Sequence, residues 1–463
     1  MYKTICIVLK DKDAELKEYC DIQCHNAKLL KNSVIFRLRQ LYFAWQNDYI
    51  CLTEHEKEVL DEFYTTYDKY TPISKKHMFP TYNQFERMFR NTQNVDYFND
   101  LPMQCSQAII KEGLQDFRNY FSALKKYRKD PSKFTGNPQF PKYARSERIS
   151  FDITNQDAVI YGNELKLPKI KTKVKLGNLE YLDNFDNLDS SKKSARLKEV
   201  TIKPYYDTYK FCITFEVADE VESTKELDKS RVLGIDLGVN NIITTSNNCG
   251  LSPFVIKGNE IKSLNQWYNK KLAEYTSKIR ASTRDNPKYS SKRIQQLNKY
   301  RKNYVTDKYN KMASYIIKYC ILHDIGTVVI GKNDQWKSEV KMQKKDKQNF
   351  THISHTELIN KIKMMADNFG IDVIETEESF TSVAEFLSMD FLPIYGEKYD
   401  NQDVYNFSGK RFCRGLYRNA DGIIMNADVN GASNIIRKAL GDDVFKGIDD
   451  FSYLYETVNV VRV

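Results

Sequence analysis

The sequence predicts a multidomain α/β protein, because three kinds of periodicity follow one another along its 463 residues. An apolar helical stripe marks the block from about 20 to 130, short alternating strands fill about 149 to 217, and β and α segments alternate from about 226 onward. A hydrophobic content of 41% is enough for real cores, and the length suits two or three domains.

The first element is a strand, YKTICIVLK, residues 2–10. A largely helical block follows, in which Ile110, Leu114, Phe117, Phe121 and Leu124 recur at spacings of four and three and mark one buried helix face. That helix runs into KKYRKDPSKFTGNPQFPKY, where Pro and Gly stop it and basic and aromatic residues cluster. From Ile149 to Val217 the chain turns β-like in ISFDI, AVIYG, NELKLP, KVKLG and the hairpin VTIKPYYDTYKFCITFEV. With the N-terminal strand these could close a small barrel. The polar run VADEVESTKELDKS then reads as a linker, with a domain boundary near residue 225.

Beyond it, the strand RVLGID and its partner NIITTSN precede a basic helical hairpin, about 260–322. Leu264, Tyr268, Leu272, Tyr275 and Ile279 share one face of its first arm, and the turn falls near Asp285, Asn286 and Pro287. Two buried-type strands, GTVVIG and IDVIET, are separated by a lysine-rich loop and the helix TELINKIKMMADNFG. This order of hairpin, helix, strand, helix, strand belongs to an α/β fold of the ribonuclease H type. No short-period repeat is present.

Charge narrows the partner class. Lys and Arg number 71 against 61 acids, a net +10. Between Lys262 and Lys318, fifteen basic residues face three acids, so the local +12 exceeds the net charge of the whole chain. A polyanion is therefore favoured over a small acidic substrate. The 31 Tyr and 25 Phe allow stacking on bases, although core packing is their commoner use. The nine Cys are scattered and read as reduced thiols of a cytoplasmic protein. A Cys20/Cys24/His25 metal site would be a cramped chelate lacking a fourth ligand. ICIVL is too short for a signal core, and no apolar run is long enough to span a membrane.

Three acidic motifs carry the chemistry. In VLGIDLG, Asp236 sits among apolar strand residues, where an unpaired carboxylate costs several kcal/mol, on the order of 3 or more, unless a cation compensates. It is either a metal ligand or a structural Asp capping the following turn. In IDVIETEESFTS, alternation puts Glu375 and Glu377 on one face and Glu378 on the other, so at most two can address one site. Taken alone, this motif also reads as a solvated strand end. In NADVNGASNIIRKAL, Ala432, Ile435, Ile436 and Ala439 mark a helix face that places Asp428 near the helix start. There it either complements the helix dipole or, between the small residues Ala427 and Gly431, aims inward. Three such carboxylates could hold one or two Mg²⁺ ions for in-line phosphodiester hydrolysis, and no His or Cys set competes.

At these residues the chain resembles the RuvC-bearing nucleases of the TnpB family, encoded by insertion sequences, and the related type V CRISPR effectors. GIDLGVNN is similar to the first RuvC motif, EESFTS to a family signature, and SGKRFCRGLYRNADGIIMNADVNGASNI to the approach to the third motif. LPMQCSQAIIKEGLQDFRNYFSALKKY followed by NPQFPKY is similar to the family's recognition helix and the start of its wedge barrel. The resemblance implies a wedge β-barrel at 1–19 and 131–225, an inserted helical recognition domain at 20–130, and a RuvC (ribonuclease H-like) nuclease domain at 226–463. It implies Asp236, Glu378 and Asp428 as catalytic Mg²⁺ ligands in a two-metal site.

Two departures from the family pattern stand out. Where many members carry the second glutamate after the strand equivalent to TVVIG, this chain has Gly331; a subset places it before a Ser-Tyr/Phe-Thr-Ser run, which maps to Glu378, with Glu377 next in line. The family's zinc ribbon is reduced to a single Cys413, so no zinc is expected in the insert at about 385–422.

The resemblance further implies a structured guide RNA, recognition of a short target-adjacent motif, and cutting of double- and single-stranded target DNA at one RuvC site. Lys270, Lys271, Lys292, Arg293, Arg301 and Lys302 are candidates for phosphate contact, Lys142, Tyr143 and Arg145 for guide RNA, and Tyr82, Asn83 and Gln84 for motif reading. The hairpin's other reading is a solvated charged face. Rival functions are a nuclease-inactive RNA-guided DNA-binding regulator, an unguided RuvC or ribonuclease H-type nuclease, and a transposase with a metal-carboxylate core, whose motif contexts do not fit. The sequence leaves monomer and dimer undecided.

Overall fold

The computed structural model describes residues 2–10, 13–66, 80–176, 195–217, 226–282, 290–332, 353–394, 406–413 and 415–463. The expected hairpin turn at Asp285–Pro287, the lysine-rich loop after GTVVIG and most of the polar linker lie outside them. The chain is multidomain α/β and divides into two compact units, Met1–Glu220 and Val221–Val463.

In the first unit, strand β1 (Tyr2–Val8) is followed by helices α1 (Ala14–Ala44), α2 (Glu54–Thr66), α3 (Tyr82–Asn91) and α4 (Met103–Lys129). Along α1 the buried residues Leu16, Tyr19, Cys20, Gln23, Cys24, Ala27, Leu30 and Val34 keep helical spacing. Cys20 and Cys24 are thus core thiols one turn apart, and burial pushes both up, Cys24 to about 12. Against α1, the stripe of α4 buries Ile110, Leu114 and Phe117. Gly113 is required there, since a Cβ would stand 2.4 Å from a Val34 methyl carbon.

Strands β2 (Phe151–Thr154), β3 (Val159–Tyr161), β4 (Glu164–Lys166), β5 (Val174–Lys175), β6 (Ala195–Tyr205) and β7 (Thr208–Val217) complete this unit. They form a four-stranded antiparallel sheet ordered β1-β7-β6-β2 and a separate three-stranded sheet β3-β4-β5. Among the described residues the two sheets do not join in one ladder. The strands of two and three residues pair with each other there, and both sheets contribute side chains to one apolar core, including Ile153, Leu165, Val174, Val200 and Phe211.

In the second unit, β8 (Asp228–Asp236), β9 (Asn241–Asn247) and β10 (Phe254–Lys257) form an antiparallel meander. The helical hairpin of α5 (Asn259–Ser282) and α6 (Lys292–Leu322) leads to β11 (Ile325–Lys332), which lies parallel to β8. Helix α7 (His355–Asp367) then leads to β12 (Asp372–Glu377), parallel to β11. After a small sheet of β13 (Lys410–Cys413), β14 (Leu416–Arg418) and β15 (Ile424–Asn426), helix α8 (Ala427–Leu440) and strand β16 (Asn459–Val461) follow. The main sheet runs β12-β11-β8-β9-β10-β16.

Period-two alternation explains the packing on its two faces. Leu233, Ile235, Val328 and Ile330 share a core with Met312, Ile316 and Ile317 of α6 and Leu358 and Ile362 of α7. Val232 and Val329 belong to the other core, with Ile435 and Ile436 of α8. Gly234 lets α8 close on β8: a Cβ there would stand 2.6 Å from the Ala432 carbonyl oxygen and 2.5 Å from Ile436 Cγ1. A larger residue at 234 would push α8, and Asp428 with it, off the sheet. No described helix is long and apolar enough to cross a membrane.

Candidate active site

On β8 the face that carries Val232 and Gly234 next carries Asp236 at the strand end. The Gly238 amide donates to the Ile242 carbonyl at 3.3 Å, turning the chain back into β9. A side chain at 238 would stand 2.5 Å from the Asn241 carbonyl oxygen. Asp428 enters from α8, whose N-cap Asn426 accepts from the amides of Asp428 at 2.9 Å and Val429 at 3.3 Å. The room for Asp236 comes from Gly431, where a Cβ would stand 2.9 Å from Asp236 Oδ2.

Glu378 follows β12. Of the three neighbouring glutamates it alone lines the pocket, because the other two are held elsewhere. Glu375 pairs with Lys332 at 2.8 Å and with Lys363. Glu377 pairs with the buried ammonium of Lys438 and accepts from the Ser379 amide at 2.6 Å. The turn after Glu378 is fixed by α8. Asn434 Nδ2 donates to the carbonyls of Thr381 at 3.0 Å and Ala384 at 2.8 Å, and Asn430 Nδ2 donates to Ala384 at 2.8 Å. Arg437 in turn donates to Asn434 Oδ1 at 2.9 Å and to the Asp390 carbonyl at 2.9 Å. Both asparagines are fully buried, four residues apart on one helix face.

These elements enclose a pocket of about 420 Å³ lined by Asp236, Gly238, Asn241, Glu378, Ser379, Arg411 and Asp428. Asn241 Nδ2 donates to Asp428 Oδ2 at 2.8 Å, and Arg411 places a guanidinium nitrogen 3.2 Å from Asp428 Oδ1. Burial, reinforced by Asp428 and Glu378, raises Asp236 to about 8, with Arg411 opposing. Burial and Glu377 raise Glu378 to about 7 against the pull of Lys438. Among the described residues no hydrogen-bond donor reaches either of these two carboxylates. The three acids line one pocket without being gathered into a ready-made ligand cluster of three among the described residues. An all-oxygen donor set with two carboxylates that lack donors and hold protons tightly fits a hard divalent cation better than a soft one. Cation binding would replace those protons and draw the acids together.

Arg411, Asn241 and the α8 residues Asn430, Asn434, Arg437 and Lys438 escaped the sequence reading. The asparagine pair at i, i+4 was a usable signal. The contact between Arg411 and Asp428 was not, since charge alone names no partner.

The nucleic-acid candidates fall into two groups. On the hairpin, Lys270, Lys292 and Arg293 project into solvent. Lys271 pairs with Glu274 at 3.0 Å, Lys302 with Glu357 at 2.8 Å, and Arg301 donates to Asn265 at 2.7 Å while covering the Tyr268 ring. In the first unit, Lys142, Tyr143 and Arg145 are exposed on a segment fastened to α1, where the Ala144 amide donates to Asn32 Oδ1 at 2.7 Å and Arg39 lies over the Tyr143 ring. Tyr82, Asn83 and Gln84 form the first turn of α3. There Gln84 closes a capping box with Thr81, accepting from the Thr81 amide at 2.9 Å, and Lys111 covers the Tyr82 ring, so Asn83 is the most open of the three.

Residues 212–337 match the family model OrfB_IS605, described as a probable transposase, so the resemblance drawn from the motifs holds over a segment that contains Asp236. No curated protein matches the chain. Among solved structures, it is similar to a Cas12f1–sgRNA–target DNA complex at 14% identity and TM-score 0.46, with 92% of this chain and 86% of that chain covered. It is also similar to the mini-RNA-guided endonuclease CRISPR-Cas_phi3 at 12% identity and TM-score 0.43, with 96% and 93% covered.

Proposed function

We propose that this protein is an RNA-guided DNA endonuclease that cuts by Mg²⁺-dependent phosphodiester hydrolysis at one RuvC-type site. The observation that carries the reading is the convergence of Asp236, Glu378 and Asp428, from three separated motifs, on one pocket at the strand ends of the main sheet. The sheet supports it: numbered from β8, five strands run 3-2-1-4-5 with the second antiparallel, the order of the ribonuclease H type. The match to the probable-transposase family supports the TnpB-like assignment.

When bound, Mg²⁺ would be held by the three carboxylates, activating water and neutralising charge on the leaving oxygen. The chain's own residues prepare the site. Asn241 and Arg411 fix the Asp428 carboxylate, Lys438 draws Glu377 away so that only Glu378 faces inward, and Arg411 keeps one positive charge at the mouth for a phosphate. Lys270, Lys292 and Arg293 on the hairpin then suit contact with nucleic-acid phosphates, recognised by charge. In this reading residues 1–19 and 131–225 form the wedge, 20–130 the recognition domain and 226–463 the nuclease. Lys142, Tyr143 and Arg145 face guide RNA, and Asn83 with Tyr82 reads the target-adjacent motif.

Gly331 is the one residue that favours the nuclease-inactive regulator, since many relatives carry a catalytic glutamate there. Glu378 answers it by bringing a carboxylate oxygen within 3.1 Å of the Cβ position of residue 331. The test is to purify the protein from cells carrying its native flanking DNA, sequence the nuclease-protected RNA, and offer matching DNA with Mg²⁺. One dominant RNA that programs cleavage supports the proposal; bulk degraded RNA supports an unguided nuclease.

A further inference from the structure

The two arms of the helical hairpin carry an aromatic groove that the carboxylate site does not use. Trp267 on α5 and Tyr300 on α6 are 44% and 54% exposed, and they form one contiguous apolar patch rather than scattered surface rings. They meet edge to face with centroids 5.8 Å apart. With Leu264, Tyr304, Asn259 and Ser263 they line a groove of about 470 Å³.

The surrounding charge says what such a groove would take. The arms are antiparallel, as the pairs Glu260–Lys308, Asn265–Arg301 and Tyr268–Asn298 run in opposite order. Toward the hairpin tip the same two faces become basic. Lys270 stands three residues beyond Trp267, about 4.5 Å along the axis, and Arg293 two turns beyond Tyr300, about 10.5 Å. Both are exposed. The one acid in the groove is neutralised, because Glu260 pairs with Lys308 and accepts from Tyr304 Oη at 3.0 Å. Flat rings lined together with amide and hydroxyl groups, and cations one to two turns away, match a nucleotide whose base stacks while its phosphates reach the lysine and arginine.

We infer that the Trp267/Tyr300 groove binds an unpaired base of a single-stranded nucleic acid that continues along Lys270 and Arg293. The inference rests on the reading of this chain as a nucleic-acid enzyme, and it assigns a site separate from the carboxylates. A duplex buries its base faces, so this groove selects strand that is already open.

The test compares two fluorescein-labelled probes on the full-length protein in EDTA, by anisotropy: a dT 15-mer and a 15-mer of abasic spacers with the same phosphates. Trp267→Ala and Tyr300→Ala should each weaken dT binding roughly 5- to 100-fold, the range of one aromatic–base stack. Trp267→Phe should stay within about threefold of wild type, and no variant should change binding of the abasic strand, where only phosphate contacts act. Unchanged dT binding by Trp267→Ala, or equal losses on both probes, would overturn the inference. Loss of concentration-dependent self-association in Trp267→Ala, with dT binding intact, would instead make the groove a contact between copies. Because EDTA removes cleavage, failure here leaves the nuclease proposal standing, and failure of the carboxylate variants leaves this one standing.

Discussion

Glu378 Oε2 lies 3.1 Å from the point where a Cβ of residue 331 would stand, so the carboxylate that follows β12 occupies space left by a glycine on β11. The same absent side chain would meet Ile435 Cδ1 at 2.5 Å. Gly331→Ala should therefore displace both neighbours. A loss of about 1–3 kcal/mol in denaturant unfolding is expected, because Ile435 is fully buried. Single-turnover cleavage should fall more than that stability change explains, since the methyl group acts directly on Glu378.

Arg411 is the cation that opposes the negative charge around Asp236. Arg411→Ala should raise the proton affinity of Asp236 further and free Asp428 on one side. Cleavage at saturating Mg²⁺ should drop about 10- to 100-fold, in the range for losing one charge-stabilising donor. Arg411→Lys should recover part of the loss. Asn241→Ala, which removes the other donor to Asp428, should raise the Mg²⁺ concentration needed for half-maximal rate.

Asp236 and Glu378 hold protons at about 8 and about 7 in the fold, against ordinary values of 3.8 and 4.5. Between about pH 4 and pH 8 the folded chain thus binds more protons at these groups than the unfolded chain, so their contribution to stability falls as pH rises. The carboxylates pulled down by partners, such as Glu375 and Glu274, change stability only around and below their ordinary value of 4.5, so they leave the slope above pH 5.5 alone. Metal-free protein should lose thermal stability from pH 5.5 to 8.5, and Asp236→Asn should flatten that slope. Mg²⁺ should raise Tm more at pH 8.5 than at pH 5.5, because protons compete with it at the lower pH.

Asn434→Ala removes the donor to Thr381 and the acceptor for Arg437, both inside the core under the Glu378 turn. Two buried partners left unpaired should cost about 2–4 kcal/mol, measured by denaturant unfolding. Ala384 keeps its bond from Asn430, so the turn should loosen without being lost.

What the sequence made legible is what depends on short periods. Alternation predicted Glu375 and Glu377 on one face, but their partners lie on opposite sides of the sheet, Lys332 and Lys363 for Glu375 and Lys438 of α8 for Glu377, because regular alternation ends where β12 ends. The i, i+3, i+4 spacing in α8 found the face that places Asp428 at the helix start. Pairing over long distance was not legible. Nothing in the strands of 149–217 says that, among the described residues, β3, β4 and β5 pair with one another and not with β2, β6 or β7, because register and partner choice come from the core they share. Asn241 and Asp428, 187 residues apart, meet only through the sheet. Gln84 shows a local signal passed over, since Thr-x-x-Gln before Phe85 is a capping box before it is a base reader.

The central claim is that three carboxylates act together in metal-dependent hydrolysis. The most direct measurement is the single-turnover cleavage rate of one labelled target, with copurified guide RNA and Mg²⁺, for wild type and the near-isosteric variants Asp236→Asn, Glu378→Gln and Asp428→Asn. Each variant should lose on the order of a thousandfold in rate while RNA-programmed DNA binding stays within a few-fold of wild type. A Glu378→Gln protein that cuts at the wild-type rate would contradict the account and pass the second carboxylate to Glu377 or Glu375.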